Sequence, residues 1–286
     1  MTQWLQVLVH TPAHSQVAGP LTYLGEQALP AGTLVRVPLG QRELLGVVWD
    51  APTAPATGTL NPDKLRALAG TLDGIAPLAP AWRQLVKFAA SYYQRSLGEV
   101  ALAALPPQLR DLNTLQLARR LKKHAKTAVT ASPDNPLTTN SVALTAEQTG
   151  AIARFDAESG PFLLFGATGS GKTEVYLHSV QQLLARDPSA QAMVMVPEIN
   201  LTPQLEARFM ARFGPLYGDN AVVSLHSGMT PAQRLKSWLA AHSGVARIVL
   251  GTRMAVFASL PNLKLIIVDE EHDPSYKQQE GARYSA

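Results

Sequence analysis

Residues Gly166 to Thr173 read GATGSGKT, and Asp269 to His272 read DEEH. The first run fits G-x-x-x-x-G-K-[ST] in full, with Gly166, Gly171, Lys172 and Thr173 at the fixed positions and Ala167, Thr168, Gly169 and Ser170 between them. Glycines let a backbone curl until successive N–H groups converge on one point, a concavity that suits a phosphate chain. A helix opening at the loop adds its N-terminal partial positive charge to the same field. The pattern specifies a nucleoside triphosphate site. Lys172 would reach the β and γ phosphates, Thr173 would hold Mg²⁺ through its hydroxyl, and Glu174 completes the nucleotide-binding run. The second motif ends the apolar stretch LKLIIV. A carboxylate delivered there, Asp269, can fix the ion that Thr173 also touches. Glu270, one position on, is suited to activating a water for attack on the γ phosphate.

Both motifs need a scaffold that brings strand ends together, and the second half of the chain has the pattern for one. From Leu144, PFLLFG, AMVMVP, AVVSLH, ARIVLG and KLIIVDE read as strands. GKTEVYLHSVQQLLA, PQLEARFMARFG and PAQRLKSWLAAH read as amphipathic helices between them. Apolar strands alternating with helices specify a parallel sheet in an α/β layer fold, with ligands at the carboxyl edge of the strands. VPEINLTPQ and GTRMAVF also fall at strand ends, where Thr252, Arg253 and backbone N–H groups can grip a phosphate backbone. Gln148 in LTAEQ precedes the glycine loop at a position that fits an adenine-reading side chain.

The first half differs. TLVRVPL and ELLGVVW read as strands with Gly40 and Gln41 as the turn between them. In PAWRQLVKFAASYYQRSLGEVALAALP, helical spacing puts Trp82, Leu85, Val86, Ala89, Tyr92 and Tyr93 on one face. The expected organisation is a β-rich domain over 1–107, a basic linker over 108–143, and an ATP-binding lobe over 144–286. Residues 1–143 carry 13 basic against 8 acidic side chains and residues 144–286 carry 12 against 13, so the basic excess lies in the first half. That distribution suits a nucleic-acid contact outside the catalytic core. No apolar run approaches a bilayer-spanning length, and the N-terminus has no signal-peptide pattern. With no cysteine, disulfides and cysteine-ligated zinc are excluded from this chain, and a cytoplasmic location with no membrane partner is expected.

Asp-Glu-x-His after an apolar strand resembles the second signature of superfamily-two helicases and translocases. The set GATGSGKTEVY, MVPEINLTPQ, LHSGMTPAQR, GTRMAVF and VDEEHDPSYKQQEGARYSA resembles the replication-restart DNA helicases of the primosomal protein N′ family. The likeness extends more loosely to LVRVPLGQRELLGVV, which is similar to the family's 3′-end-binding domain. It implies a RecA-like lobe that uses ATP and Mg²⁺ in 3′→5′ unwinding of forked and single-stranded DNA. It also implies single-stranded DNA-binding protein and primosome proteins as partners. His272 would relay the state of the site, and Tyr276, Lys277, Arg283 and Tyr284 would belong to a DNA-sensing loop. Tyr23, Gly40 and Arg66 are the candidates for 3′-end contact, with Leu21 and Thr22 standing where the family often has an aromatic–acid pair. The winged helix is expected to be reduced or absent. The second motor lobe and the family's zinc module are expected beyond Ala286. Two alternatives stand beside this reading, a non-hydrolysing DNA-binding fragment and another superfamily-two translocase.

Overall fold

The computed structural model describes residues 3–10, 19–49, 65–112, 116–121, 143–167, 169–198, 201–277 and 284–286. Five antiparallel strands open the chain: β1 (Gln3–Val9), β2 (Leu21–Gly25), β3 (Leu34–Leu39), β4 (Arg42–Val48) and β5 (Gly70–Thr71), in the order β2-β1-β4-β3-β5. Gly40 adopts φ +64 at the β3–β4 reversal, a left-handed conformation that a two-residue hairpin turn requires and glycine supplies without strain.

The long helical stretch after this sheet is two helices, α1 (Pro80–Tyr92) and α2 (Leu97–Ala103). Gln94 takes φ +52 between them, and the Ser96 hydroxyl restarts the helix by accepting the Glu99 N–H. Trp82, Val86 and Ala89 are buried as their spacing predicts, but Tyr92 is 68% exposed and stacks on Phe88 instead. Tyr92 lies one turn beyond Phe88, itself 61% exposed, on the solvent side of α1. Helix α2 lies against β1 at Gly98, where a side chain would meet the Val9 carbonyl oxygen at 2.1 Å. A short helix α3 (Gln108–Asp111) follows, and buried Arg36 of β3 donates to the carbonyls of Leu109, Arg110 and Leu112 around its end. Of the expected basic linker helix, residues 116–121 form a helical run, α4. Residues 122–142 lie outside the described residues.

The second half holds a parallel sheet of β6 (Gln191–Met195), β7 (Val222–Leu225), β8 (Ile248–Gly251) and β9 (Leu263–Val268) in the order β7-β8-β6-β9. Around it run α5 (Ala146–Ala157), α6 (Lys172–Arg186), α7 (Pro203–Tyr217) and α8 (Pro231–His242). Thr145, Thr202 and Thr230 each cap their helix by accepting a backbone N–H three residues on. Four of the five expected strands are present. The fifth, PFLLFG, is corrected: residues 161–166 run without a strand ladder, and Phe165 is 94% exposed. The physical reason is the sheet edge. Strand β9 pairs only with β6, so no described strand lies beside residues 161–166 to take their backbone groups.

One apolar core crosses between the halves. Trp238, Leu235 and Leu239 of α8 pack into the same cluster as Trp82, Val86, Leu102 and Leu105. Polar contacts reinforce the seam. The Trp82 indole N–H donates to the Phe257 carbonyl, and buried His242 donates from Nε2 to the Ala76 carbonyl while Nδ1 accepts from Ser259.

Candidate nucleotide-binding site

Helix α6 begins at Lys172, directly after the glycine loop, so its free N–H groups face the turn. Gly171 takes φ +83 at the N-cap, and a Cβ there would come within 2.4 Å of the Gln148 amide nitrogen. A Cβ on Gly166 would come within 2.7 Å of the Ser170 hydroxyl. At Gly171 the positive φ favours glycine outright, while at Gly166 a side chain would have to displace the Ser170 hydroxyl. Gln148 spans the gap from α5: its Nε2 donates weakly to the carbonyls of Ser170 and Gly171, and its Oε1 accepts the Thr145 N–H. Thr168 lies outside the described residues.

The Lys172 ammonium donates to the Gly166 carbonyl at 2.7 Å and lies 3.7 Å from the Glu270 carboxylate. Lys172 and the acidic motif, 98 positions apart in sequence, thus meet at one place. Asp269 is fixed through its backbone, its N–H donating to Met195 and its carbonyl accepting from the Tyr276 hydroxyl. Burial and the neighbouring Glu270 raise the Asp269 carboxyl above the ordinary aspartate range, with Lys172 opposing them. A carboxyl so placed gains from a bound cation, which fits the donor set expected to hold Mg²⁺. Glu270 holds φ +48, an uncommon conformation for a side-chain-bearing residue that turns the chain sharply after β9. His272 stands at the surface with its Nε2 3.8 Å from the other Glu270 oxygen.

Sequence reasoning missed what surrounds Thr173 and Glu174. The Tyr176 hydroxyl, pushed up to about 12 chiefly by burial, donates to the Thr173 oxygen. Glu174 is 5% exposed and is clamped by Arg212 and Arg208 of α7, with His178 one turn along α6. Burial alone would raise the Glu174 carboxyl, but the hydrogen bonds and charge of Arg212 and then Arg208 bring it below the usual range. The same surroundings hold His178 low: burial first, then Arg212. Glu174 therefore locks α6 to α7 rather than reaching toward the loop. The spacing of Glu174 and His178 on one helix, and of Arg208 and Arg212 on another, was the available signal.

The proposed DNA-contact residues divide by burial. At the first domain, Arg66 donates to the Gly40 carbonyl at 2.6 Å, and buried Tyr23 reaches the adjacent Pro38 carbonyl, so all three gather at the β3–β4 turn. The Tyr23 ring itself lies in the core. At the lobe, Thr252 is buried and Arg253 donates to the carbonyls of Ser275 and Lys277. Tyr276 is 3% exposed and its hydroxyl is committed to Asp269, so in this structure its ring presents no face for base stacking. Burial, then the Asp269 charge, raises that phenol further. Lys277 is exposed and pairs by backbone with Ser285, while Tyr284 sits edge-on to Phe257 beside Arg253. Arg283 lies outside the described residues. Among the described residues no group of three or more His, Asp or Glu side chains is gathered as a metal site, and no helix is long and apolar enough to cross a membrane.

A family model described as the 3′DNA-binding domain (3′BD) of PriA matches residues 6–106, and one for DEAD/DEAH box helicases matches residues 145–285. Among curated proteins, the chain is 34% identical to replication restart protein PriA of Haemophilus influenzae over 325 residues, covering 91% of this chain and 43% of the relative. It is 32% identical to the Rickettsia felis protein of that name over 271 residues, 93% of this chain and 38% of the relative. A 125-residue stretch is 48% identical to the Bacillus subtilis protein, 44% of this chain and 15% of the relative. The chain thus spans about two fifths of the length of the Haemophilus and Rickettsia relatives.

Proposed function

Because the chain belongs to the PriA family of replication restart proteins, joining that family's 3′DNA-binding domain to a DEAD/DEAH box helicase domain, we propose that it supplies the fork-binding and ATP-binding parts of an ATP-driven 3′→5′ DNA helicase that restarts replication. The observation that carries this reading is the meeting of Lys172 with the Asp269–Glu270 pair at the carboxyl edge of the sheet.

In the proposed mechanism the glycine loop and α6 N-terminus receive the phosphates, and Lys172 leaves its loop carbonyls to pair with them. The Thr173 hydroxyl, held by Tyr176, and the Asp269 carboxylate would hold Mg²⁺, which when bound neutralises charge on the phosphate oxygens. Glu270 orients a water and takes its proton. Gln148 links the loop to α5 and the adenine side. His272, Arg253, Lys277, Arg283 and Tyr284 respond to DNA, and Tyr276 carries that response to Asp269 through its hydroxyl. The β3–β4 turn with Arg66 meets the 3′ end of a nascent strand, with the Tyr23 hydroxyl bracing the turn. Single-stranded DNA-binding protein and primosome proteins are the proposed partners, and the cytoplasm is the proposed compartment.

The test is forked-DNA-stimulated ATP hydrolysis in a version extended by the second motor lobe. Lys172→Ala should abolish it, and activity unchanged by that substitution would sink the assignment. A second reading concerns the chain by itself. Among the described residues, Arg208 and Arg212 are engaged by Glu174, and no arginine is paired to the loop. A transition-state arginine typically contributes about 10³–10⁵ in rate. The chain alone is therefore proposed to bind Mg·ATP with negligible turnover, a reading that steady-state hydrolysis by the chain would overturn.

A further inference from the structure

Thr173 lies in the first turn of α6, where its hydroxyl has more than one way to point. A helical threonine divides between two χ1 rotamers, because its Oγ can turn back to a carbonyl one turn earlier. A cation shared with Asp269 needs that oxygen held in one direction, and a group outside the Thr173 side chain is placed to hold it. Tyr176 comes one helical turn later, and a helical aromatic side chain leans back over the preceding turn, which carries its phenol to Thr173. The phenol oxygen is 3.2 Å from the Thr173 Oγ. The Tyr176 ring is buried and stacks on Phe209 of α7, with centroids 6.3 Å apart and planes inclined by 19°. The hydroxyl is thus presented from a ring that α7 fixes. After burial and the Thr173 contact, the Asp269 charge also acts on this phenol, so Tyr176 stands behind both residues expected to share the cation.

Each of the two hydroxyls can donate and accept. An oxygen that gives a lone pair to a cation becomes a stronger donor and a poorer acceptor. Resting on the Mg·ATP reading of this site, we propose that Tyr176 is the positioning residue for the contact between Thr173 and Mg²⁺: with the cation bound, the Thr173 hydroxyl donates to the phenol oxygen instead of accepting from it, and a Thr173 lone pair is aimed at the metal. No proton changes owner, since each hydroxyl only rotates about its C–O bond. The phenol hydrogen then turns toward the Asp269 charge that already acts on it. Without the phenol oxygen, Thr173 is free to change rotamer while the glycine loop and Lys172 keep their places.

Binding of a fluorescent ATP analogue to this chain across a Mg²⁺ titration tests the assignment, with chelator-treated samples giving the metal-free affinity. Tyr176→Phe keeps the ring on Phe209 and removes only the hydroxyl oxygen. It should raise the Mg²⁺ concentration at half-effect roughly 2- to 12-fold, the worth of one hydrogen bond, with the loss confined to the Mg²⁺-dependent part of binding. In a Thr173→Val background, where the hydroxyl it acts through is gone, the same substitution should move that concentration no further. A Mg²⁺ response equal to wild type, the same shift on the Thr173→Val background, or an equal loss with and without metal, as a purely structural role predicts, would overturn the proposal and leave the nucleotide site standing. Wild-type binding indifferent to Mg²⁺ would instead overturn the Mg·ATP reading and this proposal with it.

Discussion

The Asp269 carboxyl is raised because it is half-buried beside Glu270, so ionising it costs the folded protein stability that Lys172 only partly restores. A raised carboxyl contributes stability that is fully present below its unfolded pKa and is lost as pH rises through the folded one. Asp269→Asn should therefore raise the thermal midpoint at neutral pH, and the difference from wild type should close near the ordinary aspartate range of about pH 4. Thermal melts across that range check it. Glu174 behaves in the opposite sense, its carboxyl lowered by two arginines. Glu174→Ala would leave the Arg212 charge, on a side chain 10% exposed, with the Gln181 amide oxygen but no counter-charge, and should cost about 3 kcal/mol in urea unfolding. Residues in contiguous motifs, Gly166 to Thr173 and Asp269 to His272, were legible because the chemistry lies in local spacing. Tyr176 and the arginine clamp were not, because their partners are set by how α6 packs on α7.

Elements were legible where an apolar period had a partner to bury it. Strands β6 to β9 and helices α6 to α8 follow their patterns. Residues 161–166 have the composition of a strand and none of the pairing, because strandness depends on a neighbour the local sequence does not specify. The break between α1 and α2 was hidden for a related reason: Gln94 and Ser96 end and restart a helix without altering the apolar count. Helix α8 is joined to the first half through His242, which burial holds below the ordinary histidine range while the Ala76 contact opposes it. A lowered histidine contributes stability above its unfolded value of about 6.5, lost as pH falls through the folded one. The drop in thermal midpoint on acidification below that value should accordingly be smaller in His242→Gln than in wild type. An equal drop would place the acid sensitivity elsewhere.

Across the whole molecule, two structures that sequence patterning separates as domains share one core, so the half that matches the 3′DNA-binding-domain model and the half that matches the helicase model meet through packed side chains. The opposite edge of the lobe is apolar and open: Ile266 of β9 is 57% exposed, and Val268, Leu163 and Phe165 are exposed as well. An unpaired apolar edge promotes pairing with another chain, and a charge on it suppresses that. Ile266→Lys should reduce concentration-dependent association in light scattering, without lowering the thermal midpoint. At the carboxyl end of the same strand, directly after Val268, Asp269 and Glu270 face Lys172. Equilibrium binding of a fluorescent ATP analogue to this chain, with and without Mg²⁺, tests that arrangement most directly. Losing one charge-assisted contact of about 1.5–3 kcal/mol predicts binding roughly 10- to 100-fold weaker in Lys172→Ala. Asp269→Asn should remove the Mg²⁺ dependence. Binding that is Mg²⁺-dependent and equally tight in both variants would contradict the account.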